Sequence, residues 1–219
     1  MIKEEDRVIS AGILGVGAGI PEGILTNADL EKMVETSDEW IRTRSGIRER
    51  RIAPPEIAAS DLALLAGRDA LADAGIEPAA LDLIIVATIT PDMIFPSTAC
   101  LLQHALGAEK AAAFDLAAGC SGFIYGLVQA AHVVATGFCR YVLVVGTEVL
   151  SRITDWTDRT TCVLFGDGAG AAVVGPVEEG EGFLAHYLGA DGGGAEHLFI
   201  PAGGSRRPAD HGTVATRQH

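Results

Sequence analysis

Along the chain, short unbroken apolar runs alternate with longer stretches of helical period. Residues 83–89 and 141–145 are continuous apolar runs, and 111–116 is nearly so, as in strands covered on both faces. Residues 7–16 read as a first strand, ended by Gly17, Gly19 and Pro21. Thr26 or Asn27 can cap a short helix through Glu35, and Ser37 can cap another over residues 38–45, closed by Gly46. Residues 47–53 then read as an exposed basic strand. Ser60 and Asp61 open an amphipathic helix, with Leu62, Leu65 and Ala66 apart from Asp69 and Asp73, that ends at Gly75. Ser97 caps a helix ending at Gly107, and an uncharged helix runs from about Cys120 to Gly137. Residues 160–165 and 169–174 flank Gly166-Asp167-Gly168 in the manner of a hairpin.

Strands that alternate with helices imply right-handed crossovers and an α/β fold, a mostly parallel sheet covered by helices on both faces. No linker interrupts this pattern before about Val177. Beyond it, Glu178 to Gly182 makes a polar break, Gly192-Gly193-Gly194 follows, and a polar stretch ends at His219. Nothing in that tail caps an element or packs an edge, so the sequence is expected to stop partway through a domain. Residues 1–177 form the first unit, and 178–219 the opening of a second.

Composition narrows the function. The 219 residues carry a formal net charge of −13, which disfavours nucleic acid as a partner, and 48% hydrophobic residues can bury a sizeable core. The four cysteines, Cys100, Cys120, Cys139 and Cys162, form no CxxC pair, and the histidines make no ligand-spaced cluster with them. Neither a metal site nor a disulfide framework is expected. Residues 116–139 are uncharged and long enough to span a bilayer, but they include Gly119, Ser121, Gly122, Gly126, Gln129, His132 and Gly137. A buried helix is the better reading. The charged first residues lack the apolar core of a signal peptide, so a cytoplasmic protein is expected.

Three patterns bear on chemistry. Gly15-Val16-Gly17-Ala18-Gly19-Ile20 imitates a dinucleotide fingerprint, but Ile20 stands where glycine is wanted and Pro21 follows, so the glycines read as a strand-ending turn. Ala117-Ala118-Gly119-Cys120-Ser121-Gly122 places a cysteine on a strand-to-helix turn. There it meets free N–H groups and the positive end of the helix dipole, the setting of a nucleophilic thiolate. Its own amide is a candidate oxyanion donor. A buried structural cysteine is the competing reading, and Cys100, Cys139 and Cys162 are assigned to it. Finally, residues 42–51 hold five arginines in an acidic protein, next to Trp40. Trp40 and Arg44, at i and i+4, could stack a purine and hold a phosphate; a solvated helix edge is the alternative.

Thr36-Ser37-Asp38-Glu39-Trp40-Ile41, Arg44-Ser45-Gly46-Ile47, Gly119-Cys120-Ser121-Gly122, Asp155-Trp156-Thr157-Asp158-Arg159 and Phe165-Gly166-Asp167-Gly168-Ala169-Gly170-Ala171 occur in order. Together they resemble the β-ketoacyl-acyl carrier protein synthase III family, condensing enzymes that initiate type II fatty acid synthesis. The resemblance implies the thiolase fold, two similar halves in five layers, of which this chain holds the first and the start of the second. It implies Cys120 as the acyl acceptor, Trp40 and Arg159 around the adenine of CoA, Arg44 at the same mouth and Thr36 as a lesser contact. Phe95 would floor the acyl pocket of a second subunit in a homodimer. The substrates implied are acyl-CoA and malonyl-acyl carrier protein, with no metal or organic cofactor. The family's histidine, asparagine and glycine-rich oxyanion loop have no match: His104, His132, His186, His197, His211 and His219 sit in no such motif. Condensation by these residues alone is therefore not expected. A polyketide condensing enzyme and a non-catalytic subunit that binds acyl carrier protein are the alternatives.

Overall fold

The computed structural model describes residues 9–219. The chain enters on β1 (Ala11–Gly19) and then pairs β2 (Gly23–Thr26) with β3 (Glu49–Ile52) in a small antiparallel sheet. Between these two strands lie α1 (Asn27–Leu30) and α2 (Asp38–Ser45). There follow α3 (Ala59–Ala74), β4 (Leu83–Ala87), α4 (Thr98–Leu106), β5 (Ala112–Leu116), α5 (Gly122–Ala135), β6 (Val142–Val149) and β7 (Asp167–Pro176). The main sheet has the order β1-β7-β6-β4-β5. β4 runs parallel to β5 and β6, and β7 runs antiparallel to β6 and β1. Four of the five strands thus point one way, as the strand–helix alternation implies.

The two-residue period of the central strands divides the core. Ile84, Val86, Leu143, Val145, Ala171 and Val173 face α3 and α4, against Ala63, Ala66, Ala70 and Leu102. Leu83, Ile85, Val142, Val144, Ala172 and Val174 face α5, against Leu127, Ala130, Ala131 and Val134. The result is three layers with the sheet in the middle. Each fully buried Val, Leu or Ile contributes about 1.5–3 kcal/mol, so these two faces hold the chain together.

Local signals set the helix ends. The Ser37 hydroxyl accepts from Trp40 N, and Gly46 closes α2 at φ 76°. Ser97 accepts from Cys100 N, and Gly107 closes α4 at φ 74°. α3 starts as expected near Ser60, but its opening bond is from Ala58 N to the Asp61 carboxylate, while Ser60 Oγ donates to Asp92. The helix expected through Glu35 is shorter. Thr26 and Asp29 close a reciprocal capping box around α1, which ends at Leu30.

Other expectations need correction. β1 does not end at Gly17 but runs through Gly19, and its side-chain positions explain why. A Cβ on Gly15, Gly17 or Gly19 would lie 2.4, 2.3 or 2.1 Å from backbone atoms of α3. The glycines are there so that helix and strand can touch. Arg7 and Val8, in the expected first strand, and the charged residues before them lie outside the described residues. The basic strand is not wholly exposed: Arg50 is 4% accessible. No hairpin forms at Gly166-Asp167-Gly168. Residues 159–164 are turns, and β7 pairs instead with β6 and β1. The Asp167 carboxylate explains the anchoring, accepting from Ala53 N at 2.7 Å, Ser151 N at 2.8 Å and Ser151 Oγ at 2.6 Å.

The tail also differs from its reading. Asp210 caps a short helix, α6 (His211–Ala215), and Ala202 N donates to Gln218 O at 2.9 Å. Cys100 is exposed rather than buried. Among the described residues no helix is long and apolar enough to cross a membrane, and α5 spans 14 residues.

The two edges of the main sheet are treated differently. On β1, Val16 N donates to Asp73 at 2.9 Å and Ala18 N to Asp69 at 3.1 Å, so two α3 carboxylates occupy the outward donors. At the other end β5 pairs only with β4, and Phe114 on it is 40% exposed.

Candidate active site

Gly119 takes φ +50°, a left-handed conformation suited to glycine, and starts a 3-10 turn over Gly119–Ser121 that leads directly into α5. Glycine also sets how closely α5 rides on the sheet. A Cβ on Gly122 would lie 3.0 Å from Ala87 Cβ, and one on Gly126 would lie 2.8 Å from Val144 Cγ1. The head of the helix is thereby pressed onto the C-terminal end of β4, with its next turn over the middle of β6; open α/β sheets place their ligands at such strand ends. Cys120 sits at that head and is exposed. The Ser121 side chain makes no capping bond, so the first α5 amides have no side-chain cap.

Cys120 opens onto a cavity of about 840 Å³. Gly119, Phe123, Thr147 and Glu148 form one wall; Ile153, Asp155, Asp158 and Thr161 form another; Phe199, Ile200, Arg217 and His219 come from the tail. Glu148 was not singled out by sequence. Its carboxylate accepts from Ile89 N at 2.9 Å, Thr90 N at 3.1 Å and the Thr90 hydroxyl, which ties the ends of β4 and β6 together. A groove of about 960 Å³ lies elsewhere, between the β2–β3 pair and the start of α3, and Cys120 does not line it.

Segment 155–161 joins this cavity to the aromatic site. Asp155 and Asp158 face the cavity, while Arg159 places its guanidinium carbon 5.1 Å from the centre of the Trp40 ring. Arg44 lies over the same ring at 5.8 Å. Both contacts are within cation–π range. Hydrogen bonds from Thr157 hold the Asp155 carboxyl below its ordinary pKa, and those from Thr160 and Thr161 do the same for Asp158. The segment therefore keeps its turns through side chains that stay ionised. Thr36 Oγ1 is buried without a hydrogen-bond partner.

The remaining cysteines divide. Burial raises the pKa of both Cys139 and Cys162, as expected of structural thiols. Cys100 is open to solvent. Phe95 is 86% exposed, beside Ile94 at 93%, and does not line the Cys120 cavity of its own chain. Among the described residues, no group of three or more His, Cys, Asp or Glu could hold a metal ion.

The sequence family described as 3-oxoacyl-[acyl-carrier-protein (ACP)] synthase III matches residues 114–192, which include Cys120 and segment 155–161. The β-ketoacyl-[acyl-carrier-protein] synthase III of Caldanaerobacter subterraneus subsp. tengcongensis is 65% identical over 211 residues, 96% of this chain and 64% of that protein. The solved structure of β-ketoacyl-[acyl carrier protein] synthase III from Thermus thermophilus matches with TM-score 0.82 and 54% identity, covering 86% of this chain and 58% of that one. The priming β-ketosynthase from the R1128 polyketide biosynthetic pathway matches with TM-score 0.76 and 43% identity, over 78% of this chain and 51% of that one.

The likeness to these solved structures, with a mostly parallel sheet between helix layers and a cysteine where its long helix begins, places the chain in the thiolase-type fold. Within that class the chain is similar to the β-ketoacyl-[acyl-carrier-protein] synthase III family. It spans 64% of the length of the first of these relatives.

Proposed function

We propose that this chain supplies the acyl-accepting part of a condensing acyltransferase that initiates type II fatty acid synthesis. The observation that carries this is the joining of Cys120 and the Trp40–Arg159 stack through segment 155–161. The Cys120 sulfur, as thiolate, attacks the carbonyl carbon of an acyl-CoA. The tetrahedral intermediate collapses, the CoA thiolate leaves and takes a proton, and an acyl thioester remains on Cys120. Backbone amides at the head of α5 stabilise the oxyanion. Condensation of that acyl-enzyme with malonyl-acyl carrier protein, which releases carbon dioxide and 3-oxoacyl-acyl carrier protein and frees the Cys120 thiol, further requires the histidine and asparagine that have no match in these residues. Acyl-CoA enters as substrate, with no metal or organic cofactor, and the setting is the cytoplasm.

CoA is held at the mouth by Trp40, Arg159, Arg44 and Thr36. The 5.1 Å separation is shorter than the roughly 7 Å that a base needs to touch both faces, so the Arg159 guanidinium swings outward when adenine enters. The unpartnered Thr36 hydroxyl gains a partner there. Because the net charge is −13, attraction of the anionic nucleotide is local, through Arg42, Arg44, Arg48 and Arg51. Alanine at Trp40 or Arg159 is expected to weaken CoA binding by about 1–3 kcal/mol, the range for base stacking. Acylation of Cys120 by a small thioester lacking the nucleotide should be nearly unchanged. Equal losses with both donors would refute the assignment.

The partner copy meets the open β5 edge, which brings Phe95 under cover to floor the partner's acyl pocket. An antiparallel β5–β5 contact about a two-fold axis satisfies the free backbone groups of that edge. Aspartate at both Phe95 and Phe114 should convert a dimer to a monomer in sedimentation at micromolar concentration; an unchanged mass would contradict this interface. The 43% identity to a priming β-ketosynthase of a polyketide pathway favours a second reading, the same priming chemistry serving polyketide assembly. A non-catalytic subunit is disfavoured by an exposed Cys120 at a shaped cavity.

A further inference from the structure

Arg50 is the buried cation that the proposed mechanism leaves without a task. It is 4% accessible, and burial lowers its pKa. Burying a guanidinium is costly unless its donors are satisfied. Here Nε and Nη2 both donate to the carbonyl of Val163, the former at 3.1 Å, and Nη1 donates to Asn27 Oδ1 at 2.5 Å. Asn27 Nδ2 in turn donates at 2.8 Å to Asp38, in the first turn of α2. One side chain therefore ties the α2 end of the aromatic site to a backbone carbonyl four residues after Arg159.

Two further contacts make this a clamp. Ala53 N, just past β3, donates to Asp167 at 2.7 Å, so the stretch after Arg159 is held at both ends by the strand that carries Arg50. A Cβ on Gly166 would lie 3.1 Å from Arg50 Cβ and 3.1 Å from Arg51 O, so the two backbones are already in contact. At the first tie, Cys162 and Val163 pack with Ile41, Trp40 and Trp156.

We propose that Arg50 is a positioning residue for nucleotide binding: by gripping the Val163 carbonyl and, through Asn27, the start of α2, it sets the distance between Arg159 and Trp40. This rests on the CoA reading above and adds to it a residue that touches no substrate. A fork is required because two donors converge on one carbonyl while a third reaches Asn27.

The experiment uses the whole chain and CoA itself. The only two tryptophans, Trp40 and Trp156, both lie in this cluster, so quenching of intrinsic fluorescence reports CoA at this place. Alkylation of Cys120 by iodoacetamide, followed by peptide mass, reports the integrity of the other end of the site. Arg50→Met should weaken CoA binding by about tenfold or more while Cys120 alkylation changes less than twofold. Arg50→Lys, which keeps the charge but not the fork, should fall between Arg50→Met and the wild type, at about threefold. Wild-type affinity in a folded Arg50→Met overturns the proposal, as does a parallel loss of CoA binding and Cys120 reactivity, which would make Arg50 a general fold residue. If Arg50→Met does not fold, Arg50→Lys decides, and wild-type affinity there overturns it. Absence of saturable quenching by CoA in the wild type would instead overturn the CoA reading, and this inference with it.

Discussion

Cys120→Ser leaves no acyl group on the chain after incubation with a short acyl-CoA, whereas the wild type gains one acyl mass on the peptide containing Cys120. A serine at the same turn keeps the geometry, but its hydroxyl stays protonated, and the rate of transfer falls by about 10⁴-fold or more. Intact-mass and peptide-mass measurements check this directly. The structure supplies an internal control. Cys139 and Cys162 are buried with raised pKa and should carry no label, while Cys100 is exposed but lies outside the cavity. Acyl transfer to Cys100 at the same rate as to Cys120 would mean that exposure, and not the site, selects the thiol.

Gly17→Val strongly destabilises the fold. Its Cβ would lie 2.3 Å from both Ala66 O and Ala70 N, backbone atoms in the middle of α3 that no rotamer change can move. Gly15 and Gly19 fix the same helix on either side, so α3 cannot shift at one point without losing contact at the others. Overpacking of a core costs about 1–3 kcal/mol when side chains can yield. Here they cannot, and the cost takes a large share of the roughly 5–15 kcal/mol of an ordinary domain. Gly170→Ala is the matched control: it lies on the neighbouring strand with nothing within 4 Å of the added Cβ, and should change stability by no more than about 0.5 kcal/mol. Urea midpoints followed by far-UV circular dichroism distinguish the two. A folded Gly17→Val of wild-type stability would show that α3 does not rest on β1.

What was legible in the sequence was local. Ser37 with Gly46, and Ser97 with Gly107, gave the limits of α2 and α4 because a cap is decided within a few residues. The glycine-flanked Cys120 was legible for the same reason. The three glycines of β1 misled because a turn glycine and a close-approach glycine are the same letter, and only α3, some fifty residues on, separates them. The hairpin reading around Gly166-Asp167-Gly168 failed because β7 chooses partners far away in sequence, and because Asp167 is committed to Ala53 and Ser151. Arg50 read as solvent-exposed because its partner carbonyl is 113 residues away. The meeting of Trp40 with Arg159 followed from family resemblance alone; no periodicity links positions so distant.

The carboxylates of Asp69 and Asp73 along β1 have a consequence for growth. A sheet with two open margins can add copies head to tail without limit, as fibrils do. Here one margin is already spent on its own helix, so a copy approaching it finds donors that are occupied and charges that repel. Among the described residues, the margin of the main sheet left for addition is β5. In the proposed dimer, β5 against β5 uses that margin in both copies and leaves the two stopped β1 margins outward, so the terminator of further growth along this sheet is carried within each chain.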